Sequence, residues 1–227
     1  MSIYADGRYG ERNPGWHEED APHKATAIAD LLRFGGLEPE QIVDVGCGTG
    51  QVLLGLKEIL DRRDLASISY EGWDIAPDAI KRAREREGLR IKFVADDFLA
   101  SERVVDLILC IDTFEHVADD VRFLESLAPR ADWFVFRIPL DLSALDILRP
   151  KRMIAARRNW GHRHAYTRSL ALEVLRESGY QVQTERYHRI PAPFGAFDPL
   201  RRGLFRVDSH LAVRLFGGFS LLVLATR

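Results

Sequence analysis

The sequence predicts an α/β protein built on a mainly parallel sheet, and three observations predict it. From residue 41 onward short apolar runs alternate with helical patterns, as in repeated strand-helix-strand units. The runs are nearly continuous in apolar residues, which is expected of strands whose two faces are both covered by helices. The first run leads into Gly46-Cys47-Gly48-Thr49-Gly50 immediately before an amphipathic stretch, so a strand enters a glycine turn and a helix leaves it.

Seven strands are expected, near residues 41–46, 68–74, 91–95, 105–111, 132–138, 180–188 and 220–226. Between the first two, residues 51–60 place Val52, Leu53, Leu56, Ile59 and Leu60 on one helical face. Pro77 suits the first turn of the next helix, whose charged run through residues 81–87 reads as a solvated face. A further helix over 168–178 ends at Gly179, a plausible stop. Ahead of the first strand, residues 23–34 also carry a helical pattern. Between the last two strands lies a long insertion, 190–218, opening with Pro191, Pro193 and Pro199.

Composition excludes several function classes. A chain of 227 residues with 46% hydrophobic content supports one sizeable core. Lys plus Arg number 32 against 34 Asp plus Glu, so the net charge of -2 provides no global field for nucleic acid or anionic membrane. Cys47 and Cys110 sit in apolar strands or at their ends, which fits a reducing compartment better than a disulfide framework, and two cysteines are too few for a metal site of their own. The N-terminus shows neither a signal peptide pattern nor a membrane span, so a cytoplasmic location is expected.

Glycines in a strand-to-helix turn let the backbone approach a bound cofactor without a Cβ in the way. Here the third glycine, Gly50, comes one residue too early for a dinucleotide fingerprint, since position 51 is glutamine. The segment Val43-Asp44-Val45-Gly46-Cys47-Gly48-Thr49-Gly50 instead resembles motif I of class I, Rossmann-like S-adenosylmethionine-dependent methyltransferases. That resemblance implies a seven-stranded sheet with helices on both faces and an antiparallel last strand. It also implies S-adenosylmethionine as cofactor.

Further segments extend it. Asp74, followed by Ile75 at the end of the second strand, matches the acid that accepts from the ribose hydroxyls, and it also reads as a helix cap before Pro77. Val94-Ala95-Asp96-Asp97-Phe98 resembles the segment whose acid accepts from the adenine amino group; Asp96 is the better match and Asp97 a close rival. In family terms Asp44 faces the methionine ammonium, and Ile111-Asp112-Thr113-Phe114-Glu115-His116-Val117 lines the cofactor's methionine end, with Gly46, Cys47 and Gly48 as the loop itself. Upstream, Asn13-Pro14-Gly15-Trp16-His17 resembles the N-terminal segment of small-molecule methyltransferases; downstream, Gly161-His162-Arg163-His164-Ala165-Tyr166 resembles the family's Gly-His-x-His segment. The absence of an Asn/Asp-Pro-Pro-Tyr/Phe sequence after the fourth strand argues against methylation of nucleobase exocyclic amines.

The expected domain is therefore a single methyltransferase domain over 1–227, with an N-terminal helical lid (1–40), a basic insert over the active site (141–167) and a helical insertion (190–218). Transfer from a sulfonium is chiefly a matter of holding the acceptor close and collinear. Where the acceptor is a hydroxyl or a protonated amine, a general base helps, and His116 and His164 are the candidates, each with a structural alternative as a hydrogen-bonding residue. Trp16 and His17 could close over the bound molecules or pack on the core.

Between Ile147 and Leu172 the chain carries Arg149, Lys151, Arg152, Arg157, Arg158, Arg163 and Arg168 with no acid. This is either a solvated face or an anion site at the sheet's carboxyl edge, with Arg157, Arg158 and Arg163 as its substrate-binding candidates. Arg201, Arg202, Arg206 and Arg214 interleave with Leu200, Leu204, Phe205, Leu211, Leu215 and Phe216 in an amphipathic pattern that covers the protein's own core, makes a homodimer contact or seeks a surface.

The function expected is methyl transfer to a small molecule, at oxygen before nitrogen or carbon, with an anionic metabolite as one acceptor class. No metal and no stable nucleic-acid binding are expected. An RNA methyltransferase using the basic insert, and a non-catalytic cofactor-binding protein, are the alternatives.

Overall fold

The sequence alternation folds, in a computed structural model describing residue 10 and residues 13–63, 67–189 and 198–227, into one seven-stranded sheet of order β3-β2-β1-β4-β5-β7-β6. The strands are β1 Gln41–Val45, β2 Ser69–Trp73, β3 Ile91–Val94, β4 Val105–Ile111, β5 Ala131–Pro139, β6 Gln181–His188 and β7 Ser220–Thr226. Strands β1 to β5 pair in parallel, while β7 runs antiparallel to both β5 and β6. All seven expected strands are present, and the last is antiparallel as the family resemblance implied. Pro191 and Pro193, and the start of the expected N-terminal lid, lie outside the described residues.

Alternation along each strand sends neighbours to opposite layers. On one face Ile42, Leu107, Leu109 and Val135 pack under α1 (Ala21–Gly35), α2 (Gln51–Asp61) and α3 (Pro77–Arg84), which contribute Ile28, Leu32, Leu53, Leu56 and Ile80. On the other, Val43, Ile108, Cys110, Phe134 and Phe136 pack with Leu124 and Leu127 of α4 (Asp120–Leu127) and with Leu172 and Leu175 of α7 (Arg168–Glu177). Each such leucine taken fully from water contributes about 1.5–3 kcal/mol. Helix α1 starts with a proline in its first turn and stops at Gly36, whose φ of 64° is left-handed.

The basic insert forms two short helices, α5 (Ala144–Leu148) and α6 (Lys151–Ala155), the second running into a wide turn over Ala156–Trp160. The amphipathic pattern after residue 198 forms two helices, α8 (Asp198–Val207) and α9 (Ser209–Phe216), because Asp208 breaks the run and its side chain accepts from Leu211 N to start the second. Part of their apolar side covers the core, since Phe205 stacks on Phe219 and Ala212 and Val213 are buried, while Leu200, Val207, Leu211 and Leu215 are exposed. No helix among the described residues is long and apolar enough to cross a membrane.

From β1 the chain builds outward through β2 to β3, then crosses back to place β4 and β5 on the other side of β1. Where these paths part, the connections after β1 and β4 diverge and leave a crevice at the carboxyl ends of the strands.

Candidate functional site

That crevice is a cleft of about 660 Å3. Its floor is the turn after β1. Gly46 N and Cys47 N both donate to Trp73 O, at 2.8 and 3.1 Å, which ties the turn to the end of β2. Gly46 has φ +80°, and a Cβ there would stand 2.5 Å from Thr113; Gly50, at φ +76°, would drive one into Phe93. Gly48, at φ +56°, is different, because a Cβ would meet only Trp16 at 3.9 Å. The first two glycines are demanded by the neighbouring elements, and Gly48 faces open cleft.

Asp74 braces the turn from β2. Its Oδ2 accepts from Gly48 N and its Oδ1 from Ala76 N, both at 2.8 Å. Burial pushes its carboxyl upward, against these backbone donors. Asp74 thus braces the turn and lines the cleft but does not cap the helix at Pro77, whose N-cap is Ala76 with no side-chain cap bond.

Asp44 is 1% exposed, and among the described residues its Oδ1 has no hydrogen-bond partner. Burial, with Asp74 and Asp112 nearby and Lys24 opposing, raises its pKa to about 8. At the third strand's end Asp96 and Asp97 line the cleft, with Asp96 Oδ1 accepting from Asp97 N and Asp97 Oδ1 from Leu99 N. Cys47, Ile75 and Ile111 line it too, and burial raises the Cys47 thiol well above its ordinary range.

At the end of β4, Asp112 adopts a left-handed backbone with φ 54°. Its carboxylate meets Arg137 of β5 and, at 3.0 Å, Lys24 of α1. Burial alone would raise its pKa, but these two cations hold it well below the usual carboxylate range. Arg137 is itself buried and donates from Nε to His188 Nδ1 at 3.1 Å.

The single turn Phe114–His116 then presents Glu115 and His116. Glu115 is 1% exposed, neither carboxylate oxygen has a hydrogen-bond partner among the described residues, and burial followed by Asp112 pushes its pKa well up. His116 Nε2 lies 3.7 Å from Glu115 Oε1, and its ring centroid is 4.9 Å from that of His162. Burial, then His162, lowers the His116 pKa to about 4. His162 Nδ1 is 2.5 Å from Asp141 Oδ2. Trp16 and His17 line the cleft, with His17 edge-on to Trp160 at 6.0 Å.

Residues 17–185 match the family described as a methyltransferase domain. The chain belongs to that family. Among curated relatives, trans-aconitate 2-methyltransferase of Mycobacterium sp. (strain KMS) is 26% identical over 136 residues, covering 58% of this chain and 51% of the relative. The chain thus spans about half the length of the curated relatives it matches first.

A magnesium protoporphyrin IX methyltransferase from Synechocystis PCC 6803, solved with bound SAH, shares the fold at TM-score 0.62 and 15% identity, over 91% of this chain and 84% of that one. The putative methyltransferase of Haloferax volcanii, solved in complex with the Trm112 methyltransferase activator, does so at TM-score 0.67 and 18% identity, over 100% and 98%. The Rossmann-like methyltransferase fold expected from the glycine turn is therefore the observed one, and the first of these neighbours holds SAH, the demethylated form of the cofactor S-adenosylmethionine.

The site chemistry of this methyltransferase-family chain fits that cofactor. A buried carboxyl oxygen without a partner, beside a glycine whose missing Cβ opens the floor, suits a cationic group on a molecule that lies close against the backbone.

The structure brings most of the sequence candidates to the cleft and leaves three off it. Asp44, Gly46, Cys47, Gly48, Asp74, Ile75, Asp96, Asp97, Ile111, Asp112, Trp16, His17, His116 and Arg163 line its wall. His164 does not, because its Nε2 is held at 3.1 Å from Val117 O and its Nδ1 lies 3.7 Å from Asp120. Arg157 and Arg158 are exposed beyond the wall, Arg157 donating to Arg163 O at 3.3 Å.

The basic run does not assemble as one anion site, since Arg152 pairs with Asp146 and Arg168 with Glu185, acids just outside it. Among the cleft residues that the sequence did not single out are Lys24, Arg137, Asp141 and His162, while Glu115 is buried and is not a lining residue. Arg137 carries a signal, a lone cation inside the apolar strand Phe134-Val135-Phe136-Arg137-Ile138; Lys24 carries none.

Proposed function

We propose that this protein is an S-adenosylmethionine-dependent methyltransferase acting on a small-molecule acceptor, at oxygen, with an anionic metabolite as the acceptor class. The observation that carries the reading is Asp44, a buried acid with an unsatisfied oxygen at the carboxyl edge of the sheet, next to Gly46 and Gly48.

Bound S-adenosylmethionine supplies an already activated methyl group. In this reading the chain's own residues bind and align. Asp44 takes the amino-acid ammonium, a charge-assisted bond in a water-poor site. Asp74, whose two oxygens retain lone pairs beyond those facing Gly48 and Ala76, takes the ribose hydroxyls. Asp96, or its rival Asp97, takes the adenine amino group, each already accepting one backbone N–H through Oδ1.

On the acceptor side His116 faces the cleft as a neutral imidazole at pH 7, able to accept a hydrogen bond but a weak base. Arg163 supplies the exposed positive charge on the wall. The anionic class is further supported by the relative named for trans-aconitate, which is a carboxylate.

Calorimetry with S-adenosylmethionine and its demethylated product tests the reading directly. Saturable binding of both is expected, with Asp74→Ala weakening both. Absence of binding, or an Asp74→Ala protein with unchanged affinity, would overturn it. Product formation across a panel of carboxylate and phosphate metabolites then identifies the acceptor.

A further inference from the structure

Buried polar side chains in native proteins are almost always satisfied, and one that is not calls for an explanation such as an ion. Glu115 is such a residue, 1% exposed with both oxygens unpartnered among the described residues. Around it stand two imidazoles. One ligand atom from each of Glu115, His116 and His162 lies within 4.8 Å of the others, and the His116 Nε2 to Glu115 Oε1 distance is 3.7 Å. Ligands at about 2.0–2.2 Å from a shared ion sit roughly 3–4 Å apart, so small side-chain adjustments close the set.

We propose that Glu115, His116 and His162 bind a divalent transition-metal ion, such as Mn2+ or Zn2+, on the wall of the cleft. Two imidazoles and one carboxylate are a recurrent donor set for such ions, and leave coordination positions open.

Main-chain and side-chain bonds hold the three residues together. The Glu115 carbonyl accepts from Arg163 N at 2.8 Å and from His164 N at 3.2 Å, which pins the turn after β4 to a loop nearly fifty residues later. Asp141 holds the His162 ring through Nδ1 at 2.5 Å, the carboxylate–histidine pairing that commonly orients a metal-bound imidazole. His116 and His162 both line the cleft, so the open positions face the space an acceptor would occupy. An ion there would bind an acceptor oxygen and lower its proton affinity, which relieves the demand for a strong protein base. This last role rests on the methyl-transfer reading; the metal site itself does not.

The test uses the full chain, stripped with chelator and titrated calorimetrically with MnCl2 and with ZnCl2. One equivalent is expected to bind saturably with at least one of the two. Glu115→Gln, nearly isosteric, and His162→Gln should each weaken it roughly tenfold or more, with melting curves confirming that both variants fold. Glu19→Gln, at the exposed member of the His17, Glu19 and Asp20 cluster, should leave it unchanged.

No saturable binding of either ion, or binding indifferent to both Glu115→Gln and His162→Gln, overturns the proposal. Affinity for the demethylated cofactor, measured in parallel, separates the two failures: metal without cofactor binding defeats methyl transfer alone, and cofactor without metal binding defeats the metal site alone.

Discussion

The two sides of the cleft are held by different means. On the β1–β3 side three acids are fixed by main chain, Asp74 by Gly48 N and Ala76 N, Asp96 by Asp97 N and Asp97 by Leu99 N, with Asp44 the exception. On the β4–β5 side, side chains hold side chains: Asp112 by Lys24 and Arg137, His162 by Asp141, and Glu115 by nothing at its carboxylate among the described residues. Backbone donors are always in place, so the first side is rigid and its chemistry follows from local sequence. Side-chain networks depend on residues from distant elements, so the second can be rebuilt for a new acceptor without disturbing the first.

Substitutions can break that contrast. The largest effect is expected on the backbone-built side, from Gly46→Ala. Its Cβ would stand 2.5 Å from Thr113 in a left-handed conformation. Stability should fall by about 1–3 kcal/mol, seen as a lower melting temperature, and calorimetric binding of the demethylated cofactor should be lost. A variant that melts and binds normally would refute the close-packed turn.

Asp44→Asn comes next. Losing a charge-assisted hydrogen bond of about 1.5–3 kcal/mol corresponds to roughly 10- to 150-fold weaker cofactor binding. The pH dependence has a definite sign. Asp44 is largely protonated below its folded pKa of about 8, and pairing with an ammonium lowers that value, so binding releases a proton. Affinity should therefore rise with pH from 6 toward 8, and calorimetry in buffers of different ionisation enthalpy should detect the released proton. In the absence of cofactor the same raised pKa makes stability fall as pH rises from the unfolded carboxyl value toward 8, because the folded state holds the proton more tightly. Asp44→Asn should flatten both trends.

On the acceptor side effects should be smaller and more selective. Arg163→Glu should raise the KM for an anionic acceptor roughly fivefold while leaving cofactor affinity alone, whereas Arg157→Glu and Arg158→Glu should change neither. Equal effects from all three would restore the whole basic run as the anion site. The smallest change is expected from His164→Ala. Loss of its contact with Val117 O should cost about 1 kcal/mol of stability and leave the pH profile of turnover unaltered; a changed profile would return His164 to the role of base.

The same contrast governs how much could be read from sequence. The strands and the glycine turn were legible because each is encoded within a few neighbouring residues: an apolar run, a positive-φ glycine, an acid two positions ahead of it. Asp44, Asp74 and Asp96 were placed for the same reason. Arg157, Arg158 and His164 were misplaced relative to the cleft because a charge count along the chain does not reveal which cations find acids elsewhere, as Arg152 does with Asp146 and Arg168 with Glu185. The long amphipathic pattern concealed a break because Asp208 acts through its own side chain, capping α9, rather than through any interruption in apolar spacing. Lys24 comes from the helix before β1 and His162 from the loop before α7, so their meeting with Asp112 and Asp141 is a matter of tertiary packing that no local pattern encodes.

The segment that brings Trp16 and His17 to the cleft wall has a mechanical character of its own. Trp16 and His17 both sit in the left-handed region, at φ 48° and 55°, where each side chain costs about 1–2 kcal/mol. Against this cost stand polar ties near the surface: Arg82 to Pro14 O at 2.7 Å, Asn13 Nδ2 to Asn159 O at 3.0 Å, and Arg86 to Glu18 at 3.3 Å. A surface ion pair contributes about 0–1 kcal/mol and weakens with salt. The segment is therefore held by a balance of small forces, one of which, the Arg86 to Glu18 ion pair, weakens as ionic strength rises.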